Sequence, residues 1–409
     1  MKVLHISAAD ESTGAGKAAL LTHNALLLLG INSKILFLKS NLEGQSVYSY
    51  HKIGLKYSLK RLGVTFLERA PLLFYPKRRN EIFSSGWIGL KLYNLPLVRW
   101  ADVIHIHWAN HGFVDIKEIE KWKKPVIWTL RDMWAFSGGC HLSFECIKYK
   151  YNCGVCPALK SKKNKDLSFV GLNRKIRYLR SSPITWVAIS SWIKQRAGES
   201  VVLQNKNIQI VPSGINAEEF FLKDRKKTRS RLNLPNDKII ILIGAVNLRE
   251  KQKGFDYVIP VLNHLNNEYL ILTFGSNSFK LGEIPQQFIH FGTCKNDRLA
   301  ELYSASDIFL APSIVEPMGK TFLEAQFCGL PVVCFANTGP ADFVKHKITG
   351  YLAEFKNGVD LLNGIKYSLR KKWNRLQIRN RAVQKFDISK VAKDYIQIYE
   401  KNFMDRGSI

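Results

Sequence analysis

Glu316 and Glu324 stand seven intervening residues apart, and the residues between them, Pro317-Met318-Gly319-Lys320-Thr321-Phe322-Leu323, pass from turn formers into a helical pattern. Pro312 and Pro317 set an irregular turn, because proline fixes one dihedral and donates no backbone hydrogen bond. Gly319 lets the backbone approach a ligand closely. From Lys320 the apolar spacing of Phe322, Leu323, Ala325 and Phe327 is helical, and Gly329-Leu330-Pro331 ends it. The first-turn N–H groups of such a helix attract an anion, a phosphate or pyrophosphate above all. Carboxylates beside a bound anion make sense when they accept hydrogen bonds from hydroxyls, as on a sugar and a ribose. A sugar nucleotide meets both demands. A surface Glu plus a helix-capping Glu is the plain alternative.

A second phosphate-binding pattern precedes it. Lys253-Gly254 opens a helix at Phe255, which offers a point charge beside backbone donors, and Arg249 lies in the same loop. The block Glu316-Pro317-Met318-Gly319-Lys320-Thr321-Phe322-Leu323-Glu324 resembles the E-x7-E signature of retaining glycosyltransferases of family 4, which have the GT-B fold. The resemblance implies that Glu316 contacts and orients the transferred sugar and that Glu324 contacts the ribose. It puts Met318, Gly319, Lys320 and Thr321 against the donor. Lys253 matches the family's K-G lysine, while Arg249 is four residues earlier, where the family has five. Gly292 and Thr293 match the segment that frames the base, and Gly14 and Gly16 the loop that closes over the donor phosphates and the acceptor. Arg131 stands where many relatives carry a histidine, so a titratable group gives way to a permanent cation. With Asp132 it is a catalytic-side candidate that could bind a hydroxyl or an acceptor phosphate, and His107 is a further candidate.

These residues need two layered domains to position them. A chain of 409 residues exceeds one ordinary core. Val3–Ser7, a Gly-containing loop, a helix Lys17–Leu29 and a strand Ser33–Leu38 read as one nucleotide-fold opening. Ile239–Val246, a continuous apolar strand, starts another. The expected architecture is α/β: two doubly wound, Rossmann-like domains of GT-B type facing a cleft. Residues 1–218 with 389–409 form the acceptor side, and residues 219–388 form the donor side. A last helix, Lys390–Phe403, crosses back to the first domain. Asp102–Trp108 and Pro125–Leu130 are strands whose carboxyl ends bring out His107, Arg131 and Asp132, with His105 turned to the core.

Cys140, Cys146, Cys153 and Cys156 fall within an insertion of about residues 138–165. The C-x2-C end suits a four-thiolate structural zinc; disulfides in an oxidising compartment and free thiols are the other readings. The GGCH…C…C..CP pattern resembles that of a subgroup of the same transferases, which links the insertion to acceptor recognition. No Asp-x-Asp occurs, so a metal-bridged diphosphate is not indicated and catalysis is expected to need no cofactor. The family resemblance implies retention by front-face attack, with the leaving phosphate taking the acceptor's proton.

Hydrophobic residues make up 46% and charged residues 23%, as in a globular chain. The net charge is +28, with 32 Lys and Arg against 14 Asp and Glu in residues 1–218 and 29 against 19 in residues 219–409. Basic clusters occur at Lys56-Lys60-Arg61, Lys77-Arg78-Arg79, Lys160–Lys165 and Arg174-Lys175-Arg177-Arg180. The first is interleaved with Leu55, Leu59, Leu62, Phe66, Leu67, Leu72, Leu73 and Phe74, a mixture suited to an anionic membrane surface or to a solvated helical insertion. Nucleic acid is disfavoured, since no helix-turn-helix, zinc-finger or aromatic RNP pattern appears. With no signal-peptide pattern and no membrane-spanning run, a cytoplasmic place, peripheral at the inner membrane face, is expected.

The expected activity is transfer of a hexosyl unit from a nucleoside-diphosphate sugar, a UDP-sugar favoured, to a polysaccharide or lipid-linked saccharide. A sugar-nucleotide epimerase of the same fold and a non-catalytic sugar- or nucleic-acid-binding protein are the alternatives.

Overall fold

Alternating apolar strands and helices build two separate parallel sheets. The computed structural model describes residues 1–42, 44–280 and 282–407, the last two of these in backbone only. The chain divides into a first unit, Met1–Pro212 with Val391–Ile409, and a second, Ser213–Lys390. The boundary falls earlier than residue 218 because the segment after Pro212 pairs inside the second unit. The Ile215 N–H donates to the Phe386 carbonyl and the Ile388 N–H to the Ile215 carbonyl, both at 3.0 Å.

In the first unit the strands are β1 (Lys2–Ser7), β2 (Asn32–Phe37), β3 (Val47–Ser49), β4 (Val103–Trp108), β5 (Val126–Leu130), β6 (Ile184–Ala188) and β7 (Ile208–Ile210). They lie in the order β3-β2-β1-β4-β5-β6-β7, parallel throughout. The helices are α1 (Gly14–Leu28), α2 (Leu55–Arg69), α3 (Pro96–Trp100), α4 (Leu167–Leu179) and α5 (Ser191–Gly198). Helix α1 starts earlier than Lys17 because Thr13 caps it, its hydroxyl accepting the Gly16 N–H at 3.1 Å.

The second unit holds α6 (Arg225–Arg231), β8 (Ile240–Gly244), α7 (Phe255–Leu262), β9 (Leu270–Phe274), β10 (Phe288–His290), α8 (Asn296–Ala305), β11 (Ile308–Leu310), α9 (Lys320–Phe327), β12 (Val332–Phe335), β13 (Gly350–Ala353), α10 (Gly358–Arg370) and α11 (Arg375–Phe386). Its order is β10-β9-β8-β11-β12-β13. Strands β8, β9, β11 and β12 are buried along their whole length, which explains their unbroken apolar sequences.

Helix α12 (Ile388–Gly407) belongs to the first unit from Val391 onward. There the Tyr399 hydroxyl lies 2.6 Å from His105 Nδ1, and the Tyr395 hydroxyl 2.9 Å from Thr129 Oγ1. Among the described residues no helix is long and apolar enough to cross a membrane.

Candidate functional site

In the second unit strand order reverses between β8 and β11, and open α/β sheets bind ligands beyond the carboxyl ends of strands at such a reversal. A narrow hollow lies there, lined by Gly244, Lys253, Pro312, Ser313 and Thr321 with apolar neighbours. Lys253 Nζ sits 2.8 Å from Glu316 Oε2. Burial lowers the lysine's pKa, but Glu316 outweighs it and the net direction is upward, so the cation persists through neutrality. Gly254 adopts φ +69°, and a Cβ there would meet the Pro312 carbonyl oxygen at 1.9 Å. The two loops therefore touch backbone to backbone, which brings Lys253 to Glu316. Gly319 also needs left-handed φ, +83°, and leads into α9 without a side-chain cap. That start, at Lys320 and Thr321, retains the capacity of a helix N-terminus for an anion.

The other donor-side candidates are placed less uniformly. Glu324, buried in α9, accepts from the Tyr303 hydroxyl at 3.3 Å and lies 3.6 Å from Lys320 Nζ. Met318 is buried, its sulfur accepting the Ser213 N–H at 3.1 Å. Gly292 and Thr293 follow β10, two strands away from β8 in the sheet, and the Gly292 carbonyl accepts from the Gly275 N–H at 2.9 Å. Arg249 is turned to Glu283 in a two-pronged pair, at 2.9 and 2.5 Å, and donates to the Ser278 carbonyl at 3.1 Å. Nothing in the sequence announced Glu283, which lies far along the chain in an irregular segment.

The first unit reverses strand order between β1 and β4. Gly14 and Gly16 lie just beyond β1. A Cβ on Gly14 would meet nothing within 4 Å, whereas one on Gly16 would overlap the Asp10 carbonyl oxygen at 1.7 Å. Gly14 is therefore open to a ligand, while Gly16 is required by the loop's own packing. His107 Nδ1 faces Arg131 Nη2 at 2.8 Å, and its Nε2 faces His5 Nδ1, also at 2.8 Å. His105 is core, bonded to Tyr399 and to Thr129. His5, His105 and His107 form the group of nitrogens close enough to hold a metal. Both nitrogens of His105 and His107 are already engaged, however, and the Arg131 cation adjoins them. His5, His107 and Arg131 form a hydrogen-bonded chain, with His105 packed against the His107 ring. Burial, followed by neighbouring positive groups, holds all three histidines well below their usual pKa.

Asp132 is committed to internal partners. Oδ1 accepts the Trp134 N–H at 2.9 Å, while Oδ2 accepts Trp108 Nε1–H at 2.5 Å and faces His141 Nδ1 at 2.7 Å. Burial raises its pKa, but His141 and these hydrogen bonds outweigh burial and the net direction is down. Ser84 Oγ lies 2.9 Å from His141 Nε2, giving the hydrogen-bond order of a Ser-His-Asp triad. Ser84 is 1% exposed, so the arrangement pins the cysteine segment to the sheet instead of presenting a nucleophile. The GGCH pattern contained His141, but its partner Ser84 had no signal in sequence.

None of the cysteines forms a disulfide. Cys140 hydrogen-bonds Cys156, which raises the first thiol's pKa and draws the second to about 6, while burial pushes Cys153 to about 12. Four thiolates on one zinc would bring the sulfurs to roughly 3.8 Å from one another, given Zn–S bonds of about 2.3 Å. Among the described residues the sulfurs do not form even a three-membered group with all atoms within 4.8 Å. Cys146 and Cys153 nonetheless lie near enough to act electrostatically on the Cys140–Cys156 pair, so the four thiols share one neighbourhood. Lys175, counted by sequence in a surface basic cluster, is buried beside them. It donates to the carbonyls of Trp134 and, at 2.8 Å, Ser137, and burial draws its pKa to about 7.

Residues 224–385, most of the second unit, match the model of the family described as glycosyl transferases group 1. An uncharacterized glycosyltransferase of Methanocaldococcus jannaschii is 24% identical over 324 residues, 73% of this chain and 75% of that protein. Sucrose-phosphate synthase from Thermosynechococcus elongatus superposes with a TM-score of 0.68 at 16% identity, over 99% of this chain and 100% of that one. Anabaena HepE in complex with UDP-glucose does so at 0.61 and 17% identity, over 98% and 100%. The fold is GT-B. These findings support a glycosyltransferase. The family match falls on the unit that carries Lys253, Glu316 and Glu324, where the Lys253–Glu316 pair and the start of α9 lie at the strand-order reversal.

Proposed function

We propose that the protein transfers a hexosyl unit with retention from a nucleoside-diphosphate sugar, a UDP-sugar first, to a growing polysaccharide or lipid-linked saccharide. The observation that carries this reading is the Lys253–Glu316 contact beside the uncapped start of α9. On binding, the diphosphate would draw Lys253 Nζ from Glu316, and the amides at Lys320 and Thr321 would meet the charge that develops on the leaving group. Glu316, released, would accept from hydroxyls of the sugar and orient it, while Glu324 would hold the ribose. The UDP-glucose bound to the HepE neighbour supports a uridine donor. Leaving-group charge is assigned to protein groups, so the transfer is read as metal-independent, with the departing phosphate taking the acceptor's proton.

A thermal-shift panel of nucleoside diphosphates and their sugars identifies the donor. Lys253→Ala should weaken diphosphate binding at least about tenfold, since charge-assisted bonds are worth roughly 1.5–3 kcal/mol. Glu316→Gln should cut donor hydrolysis and transfer without weakening UDP binding, which it should if anything tighten because Lys253 is freed for the diphosphate. NMR of the first product reads the anomeric outcome. Undiminished turnover in Glu316→Gln, or an inverted product, would defeat this reading.

A further inference from the structure

Helix α2 is turned with its apolar side outward. The side chains facing the unit are Tyr57, Ser58, Arg61, Val64, Thr65 and Glu68, mostly polar. The outward stripe is Leu55, Leu59, Leu62 and Phe66, at 78, 60, 53 and 69% exposure. An amphipathic helix on a soluble body places these the other way round. Nor is the helix loosely attached. Glu68, 1% exposed, accepts the Ser85 N–H at 2.8 Å, and Trp87 Nε1–H donates to the Leu67 carbonyl at 2.9 Å. A Cβ on Gly112 would touch Val64 at 2.9 Å, so the packing there is tight. The apolar surface continues past the helix through Leu73, Phe74 and Ile82, at 74, 83 and 60%.

Charge identifies what covers this surface. Residues 51–82 hold eight Lys and Arg against two Glu. Of those two, Glu68 is buried and Glu81 lies 3.6 Å from Arg79. We infer that the outward face of α2, continued to Ile82, is a seat on an anionic lipid bilayer. Leucine and phenylalanine enter the headgroup–acyl boundary while the flanking lysines and arginines meet lipid phosphates. A second copy of the chain would have to bring two strongly basic patches together, and a neutral partner would leave the basic rim without counter-charge. The inference does not rest on the proposed transfer reaction. It adds that an acceptor held in a membrane would be reached from the first unit's side.

Flotation of the full chain with vesicles tests it, using phosphatidylcholine alone and phosphatidylcholine with about one-third phosphatidylglycerol. The chain should float with the anionic vesicles alone, and raising salt from roughly 0.15 M to 0.5 M should release most of it. The variant Leu59→Glu, Leu62→Gln, Phe66→Glu should lower anionic-vesicle binding at least about tenfold while keeping wild-type tryptophan fluorescence and donor hydrolysis, because these side chains support no core. Lys56→Glu with Lys60→Glu should reduce binding to anionic vesicles with the apolar stripe intact. No flotation, equal binding to neutral vesicles, or a wild-type dimer abolished by the triple substitution would each overturn the inference.

Discussion

At the scale of residues, the candidate site neutralises its own cations. Lys253 is paired with Glu316, Lys320 with Glu324 and Arg249 with Glu283. A diphosphate must therefore compete with carboxylates already in place. The Arg249–Glu283 pair is the most exposed of the donor-side set at Arg249, so its worth is small, about 0–1 kcal/mol. Glu283→Gln should release Arg249 and tighten UDP binding by about two- to fivefold, as measured by calorimetry. If the affinity falls instead, Arg249 serves the loop and not the ligand. Glu316, Glu324 and Lys253 stood out in sequence because their motifs are local, set by short loops and one helical turn. Glu283 and Ser84 were not, since their partners lie far along the chain and only the fold brings them together.

At the scale of elements, glycine allows two loops to meet. Sequence read Lys253-Gly254 as a point charge beside the backbone donors of a helix start, and in the structure the Gly254 α-carbon faces the Pro312 carbonyl. That contact fixes the distance from Lys253 to Glu316. Gly254→Ala combines left-handed backbone strain with a steric overlap, and it should cost about 1–3 kcal/mol of stability in denaturant melts. Donor affinity should fall with it, because Lys253 loses its position; a variant of unchanged stability would show that the loops can part without penalty. The strands β8, β9 and β11 were readable from unbroken apolar runs. The inverted helix α2 was readable only as a mixture of basic and apolar residues. Composition does not reveal which side of a helix meets the core, and here Glu68 decides it through Ser85, and Tyr57 through Tyr50 just ahead of the helix.

At the scale of the whole molecule, the two units should respond differently to acid. The first unit keeps His5, His105 and His107 neutral by burial, beside Arg131, and draws His23 and His111 each to about 4. The unfolded chain titrates these groups near pH 6.5, so below that pH it binds more protons than the folded unit. Stability must then fall as pH falls, by up to about 1.4 kcal/mol per pH unit for each group in its window. Asp132, with a depressed pKa, acts in the same direction only at lower pH, as the carboxylate range is entered. Lys175, drawn to about 7, adds its effect above that value. Eight of the nine tryptophans lie in the first unit, so tryptophan fluorescence follows it preferentially. Urea melts followed in this way at pH 7.5 and 5.5 should show a clearly lower midpoint in acid. A midpoint that does not move between these two pH values would mean that the buried histidines already carry protons in the folded unit. The hydrogen-bonded chain from His5 through His107 to Arg131 would then be wrongly described.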